Sequence, residues 1–167
     1  MERLEFKSTF GVDDAGMITG IAWPFGTADR AGDIIEKGAF NTPAVLPMLA
    51  HHDPARPVGV WDQISETDKG LEVKGRLLIG EVADAQEMRA LVRAGAIGGL
   101  SIGFMTKKAA GRAGGGRIIS ALDLVEVSLV TVPSHPGARV TSAKDASLAM
   151  AWAEAINRAA TALSHKE

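Results

Sequence analysis

No cysteine occurs among the 167 residues, which excludes disulfides, thiolate metal sites and a cysteine nucleophile together. The chain also lacks a membrane-spanning stretch, since no run approaches the roughly 20 apolar residues that a helical span requires. Its first residues, Met1-Glu2-Arg3-Leu4-Glu5-Phe6-Lys7, do not form the apolar segment of a signal peptide. A cytoplasmic protein with no membrane partner is therefore expected. Nor is there an excess of positive charge: 18 Lys and Arg stand against 20 Asp and Glu, a formal net charge of -2. Without a basic field a phosphate backbone gains little by approaching, so nucleic acid is not an expected partner. No internal repeat is present, and only a Gly tract and an Ala-rich tail are compositionally biased.

What is present is the composition of an ordinary globular protein, 46% hydrophobic and 23% charged. The length suits one domain spanning 1–167, with a single core and room for a helix outside it. From Phe6 to Ile79 short apolar runs alternate with Gly, Pro and Asp: Met17 to Trp23, Val45 to Ala50, Val58 to Ile64 and Leu71 to Leu78. That spacing predicts a β meander or barrel. From Glu81 to Ala94 the period changes. Val82, Ala85, Met88, Leu91 and Val92 fall on one helical face, and Gly95 stands where a helix C-cap belongs. A second β region follows, Ile97 to Met105 and Arg117 to Val132, with Gly111 to Gly116 between them expected as a mobile loop. Leu148, Trp152, Ala155, Ile156, Ala159 and Leu163 then trace an apolar stripe, predicting an amphipathic helix over about 147–164 after a barrel core of about 6–140. The fold class is thus mixed α and β, dominated by β.

Three segments could carry chemistry. On a strand, Gly99, Ser101 and Gly103 point away from the face formed by Leu100, Ile102 and Phe104, so the Ser101 hydroxyl stands on a strip without neighbouring Cβ atoms, open to a substrate backbone. Gly99 to Gly103 spells G-x-S-x-G, but the helix precedes it rather than follows, which is not the nucleophile elbow of α/β-hydrolases. Glycines at those positions would equally let another element approach the strand closely. In Met48-Leu49-Ala50-His51-His52-Asp53-Pro54 a strand is expected to end at Asp53, because Pro54 has no N–H to give. Adjacent histidines on a strand diverge, so His51 and His52 do not readily share one metal. Glu126 shares a face with Leu124 and Val130, while Val125, Val127 and Leu129 hold the other, so a buried carboxylate needs a partner: His52, or an arginine such as Arg117. A hydroxyl, an imidazole and an acid are the parts of nucleophilic acyl transfer, here in the chain order His, Ser, acid.

These segments belong to colinear blocks: Ile18 to Ala22, Gly32 to Phe40, Pro47 to Asp53 with Pro57-Val58-Gly59, Gly95 to Phe104, and Leu124 to Pro133. In them the chain resembles the prohead proteases of tailed phages and gene-transfer particles, relatives of the herpesvirus assemblins. The resemblance implies a small closed β-barrel surrounded by helices, with Ser101 as nucleophile and His52 as general base. It places Glu126 where assemblins carry a second histidine, with Asp123 and His135 as other occupants of the third position. One arginine, Arg139, stands where assemblins use two near the oxyanion, so backbone amides become candidate oxyanion donors. The resemblance further implies cleavage of scaffold and major capsid protein inside the assembling prohead, without cofactor or metal, by a homo-oligomer such as a dimer. Two rival readings are a catalytically inactive capsid-assembly or scaffold protein of the same fold, and a metal-dependent hydrolase built on His51, His52 and Asp53.

Overall fold

Alternating apolar and polar residues between turn signals favour strands. The computed structural model, which describes residues 12–141, contains nine strands and one helix among those residues. In chain order they are β1 (Met17–Pro24), β2 (Ile34–Ile35), β3 (Phe40–Asn41), β4 (Leu46–Ala50), β5 (Asp53–Glu66), β6 (Gly70–Leu77), α1 (Ala83–Arg93), β7 (Gly99–Gly111), β8 (Arg117–Val130) and β9 (Arg139–Thr141). Seven strands close a barrel: β8, β4, β5, β6, β1, β9 and β7 are neighbours in that order, and β7 pairs back onto β8. Closure leaves the ring without a free sheet edge.

β8 organises the whole. Along one edge it pairs antiparallel with β7, and along the other it takes three short strands in succession, all parallel to it: β2 at Ile118, β3 at Leu122 and β4 at Val127. Its inward side chains meet Met48, Trp61, Leu71 and Leu100 in a core where all four are fully buried. Burial of each such side chain contributes about 1.5–3 kcal/mol. Trp61 also donates its indole N–H to the Val127 carbonyl at 2.9 Å, so its one polar atom is satisfied inside the barrel.

α1 packs on β5 and β6 through Ala85, Met88 and Val92, which are buried, as the helical spacing predicts. Its end is a Schellman motif. The Gly95 N–H reaches the Val92 carbonyl at 3.0 Å and the Ala96 N–H reaches that of Leu91 at 2.9 Å, with Gly95 at φ 75°. Arg56 of β5 grips Asp84 in the first turn at 2.7 Å.

Some expectations are corrected by the structure, and others fall on residues it does not describe. Among the described residues α1 is the one helix, so a barrel surrounded by helices is not observed. The helix expected over 147–164 lies outside the described residues, as do 6–11 of the barrel core. β5 begins at Asp53 rather than ending there. Its ladder with β4 slips between Met48 and Ala50, which accommodates Pro54 and Pro57 without their missing N–H groups. β7 continues to Gly111, and the segment expected as a mobile loop is the hydrogen-bonded tip of the β7–β8 ribbon. There the Arg112 N–H meets the Gly116 carbonyl at 3.1 Å. The tip rests on Gly32, so closely that a Cβ on Gly116 would fall 2.1 Å from the Gly32 oxygen.

Candidate active site

The outward face of the β7–β8 pair brings the three sequence segments together. Ser101 of β7 lies directly opposite Ser128 of β8, and Gly103 lies opposite Glu126. On the far side of β8, Leu49 is level with Ser128 and Ala50 with Leu129. The chain leaving β4 therefore makes its turn into β5 beside β8, at the height of this row.

That turn is where the histidines sit. His51 and His52 are not on a strand: they are the two central residues of a tight hairpin closed by Ala50 and Asp53, with φ of 54° and 61°. Consecutive positive φ values define the type I′ geometry that matches the twist of a two-residue hairpin, normally supplied by Asn-Gly. Two side chains in the left-handed region are strained by about 1–3 kcal/mol each. The conformation is held by hydrogen bonds: the His51 N–H to the Leu129 carbonyl at 3.0 Å, and the His52 N–H to Ser128 Oγ at 3.0 Å.

Glu126 reaches the outward face because of a β-bulge. Between the pairs Gly103 with Glu126 and Phe104 with Leu124, β8 carries one extra residue, Val125. The bulge breaks simple alternation. Leu122, Leu124, Val127 and Leu129 stay in the core, Val125 is exposed, and Glu126 joins Ser128 on the outward face instead of sharing one with Leu124. Gly103 makes the room: a Cβ there would lie 2.4 Å from Glu126 Oε1. Glu126 is only 8% exposed, and its carboxylate is fully engaged. His52 Nδ1 contacts Oε1 at 2.5 Å, and the Ser128 hydroxyl donates to Oε2 at 2.7 Å. A carboxylate only accepts, so this contact assigns the imidazole proton to Nδ1 and leaves Nε2 to accept another.

Ser101 does not stand on an open strip. It is 3% exposed, and its Oγ lies 3.2 Å from the Oγ of Ser134. The segment after β8 folds back over β7 as a strap, and a Cβ on Gly99 would come 2.8 Å from Pro133 Cδ. Glycine here serves close approach by another element. The strap is anchored on the 27–33 loop: the Arg30 guanidinium donates to the Pro133 carbonyl, and the Arg30 N–H to that of Ser134 at 3.1 Å.

The other candidates are committed elsewhere. Asp123 binds Lys107 at 2.7 Å and Asn41 at 3.0 Å, contacts that hold its carboxyl below the usual carboxylate range. His135 is buried against Trp23; its Nδ1 accepts the Gly137 N–H at 3.0 Å, and its Nε2 lies 3.2 Å from the Thr27 carbonyl oxygen. Arg117 pairs with Asp33 at 2.5 Å, not with Glu126, and that guanidinium lowers the Asp33 carboxyl from its ordinary value. Asp53 turns back on the Ala55 N–H at 2.9 Å, and among the described residues no three His, Asp or Glu side chains converge as metal ligands. No described helix is long and apolar enough to cross a membrane. Sequence reasoning missed two residues, Ser128 and Ser134. Period-two alternation from Glu126 reaches Ser128 directly, but no local signal brings Ser134 over Ser101, 33 residues away in the chain.

Residues 2–151 match a family described as caudovirus prohead serine protease. A prohead protease of Enterobacteria phage HK97 is 33% identical over 151 residues, covering 86% of this chain and 66% of that protein. A prohead protease of Escherichia phage T5 is 34% identical over 124 residues, covering 70% of this chain and 58% of its own length. A capsid polyprotein of Pseudomonas phage PAJU2 is 36% identical over 141 residues, 79% of this chain but 20% of that protein. The chain therefore spans less than two thirds of the length of each of these relatives.

Proposed function

Because the chain belongs to the caudovirus prohead serine protease family, we propose that it is a serine endopeptidase that cleaves scaffold and major capsid protein during prohead assembly, inside the assembling shell. Ser101 is the nucleophile, His52 the general base and Glu126 the group that orients it. The observation that carries this reading is the 2.5 Å contact between His52 Nδ1 and Glu126 on the face that also holds Ser101. With Nδ1–H directed at Glu126, Nε2 takes the Ser101 proton as Oγ bonds to the peptide carbonyl carbon. The imidazolium returns that proton to the departing amine as the C–N bond breaks. Water then gives a proton to Nε2 as its oxygen bonds to the acyl carbon. The imidazolium returns that proton to Ser101 Oγ as the ester C–O bond breaks, releasing the new carboxyl terminus and restoring the Ser101 hydroxyl. Because Ser134 occupies the hydroxyl, the strap shifts before a substrate carbonyl reaches Ser101. Similarity to part of a protein named capsid polyprotein supports capsid protein as the substrate class. On this reading 1–167 form one protease domain that works as a homo-oligomer.

The test is co-expression of the wild type and Ser101→Ala with the scaffold and capsid proteins encoded beside it, followed by intact-mass measurement. Trimming that requires Ser101 is expected. Identical masses from both would replace the protease by an inactive assembly protein of the same fold.

A further inference from the structure

Ser128 is the fully buried residue on which the two halves of the proposed base assembly meet. Its hydroxyl accepts the backbone N–H of His52 at 3.0 Å and donates its one proton to Glu126 Oε2 at 2.7 Å. One oxygen atom thereby fixes both the strained backbone that carries the imidazole and the carboxylate that receives its Nδ1–H. Nothing else among the described residues bonds to both. Ser128 is also the cross-strand partner of Ser101, so the two Cβ atoms stand about 5 Å apart. It is no rival nucleophile, because its only proton is held by Glu126 and no surface of it meets solvent.

We propose that Ser128 is a positioning residue for the protease reaction: its hydroxyl locks the His51–His52 turn and the Glu126 carboxylate into the one arrangement that aims His52 toward Ser101. The inference rests on the protease reading above. A purely structural serine in the same place would satisfy a buried N–H and influence stability alone. A positioning serine also controls the imidazole proton and the chemical step, leaving substrate affinity alone.

The experiment uses the full chain and a peptide spanning a capsid-protein cleavage site, comparing wild type, Ser101→Ala, Ser128→Ala and Ser128→Cys. The cysteine fills nearly the same space with a weak hydrogen bonder, and it carries the measurements if the alanine variant does not fold. Both Ser128 variants are expected to lose roughly a hundredfold in kcat, the consequence of a small misplacement of the base, with KM little changed. The NMR resonance of the His52 Nδ1 proton, far downfield in the wild type, is expected to shift and broaden in both variants. A wild-type kcat and an unmoved Nδ1 resonance in a folded Ser128 variant would overturn the proposal, while an inactive Ser101→Ala left the protease reading standing. Cleavage that persists in Ser101→Ala would overturn that reading and this proposal with it.

Discussion

The two faces of the β7–β8 pair are built from the same two strands and obey different rules. Inward, Leu100, Ile102, Leu122, Leu124, Val127 and Leu129 are buried in a core that is stabilised by area and packing, spread over many contacts. Outward, Ser101, Glu126 and Ser128 are buried nearly as well, but each is held by one or two directed hydrogen bonds. A packed face tolerates changes that conserve volume. A buried polar face depends on single atoms, because an unmatched donor or acceptor costs about 1–3 kcal/mol and moves its neighbours. Stability and chemistry are thus divided between the sides of one ribbon.

The division is broken most severely from inside. Trp61→Ala removes a fully buried side chain and its bond to the Val127 carbonyl, and about 3–5 kcal/mol of stability should go with it. Urea unfolding checks this as a fall in midpoint at unchanged slope, while the cleavage rate per folded molecule holds. A matching loss of kcat in the folded fraction would mean that the faces are not independent. Gly103→Ala attacks the other side with one methyl group. Its Cβ would stand 2.4 Å from Glu126 Oε1 and 2.9 Å from Cγ, so the carboxylate must move. The stability cost should be smaller, about 1–3 kcal/mol, yet kcat should fall on the order of a hundredfold. Normal turnover in this variant would show that the position of Glu126 is immaterial to catalysis.

The same contrast explains what could be read in the sequence. Inward features were legible because they follow local periods: the strands at Met17, Leu46, Leu71 and Gly99, the α1 face of Ala85, Met88 and Val92, and the Gly95 cap. Ser101, His52 and Glu126 were legible as residue types, since a hydroxyl, an imidazole and a buried carboxylate need one another. Their arrangement was not. The bulge at Val125 reverses the parity on which any face assignment depends, and no residue there announces it. The covering of Ser101 comes from a strap that only tertiary packing brings near. The histidine pair was misread as strand because a type I′ turn is ordinarily signalled by Asn-Gly, and His-His carries no such signal.

That turn gives the smallest expected effect and the sharpest separation of strain from chemistry. Residue 51 occupies the first central position at φ 54°, where asparagine is preferred, and the bond from its backbone N–H to Leu129 does not involve the imidazole. His51→Asn should therefore stabilise the protein by up to about 1 kcal/mol, raising Tm by roughly 2–4 °C, and leave kcat unchanged. Residue 52 occupies the second position at φ 61°, where glycine is preferred. His52→Gly relieves the same strain but leaves the buried Glu126 Oε1 without its partner, a cost of about 1–3 kcal/mol, so Tm should not rise. Cleavage should be abolished, since the strained residue is also the base. Thermal melts of the two variants beside their cleavage rates distinguish the cases. If His51→Asn lowers Tm, the imidazole of His51 makes a contact worth more than the strain it imposes. If both behave as stated, the hairpin retains its disfavoured pair for chemistry at residue 52 alone, and the strain at 51 can be removed without loss.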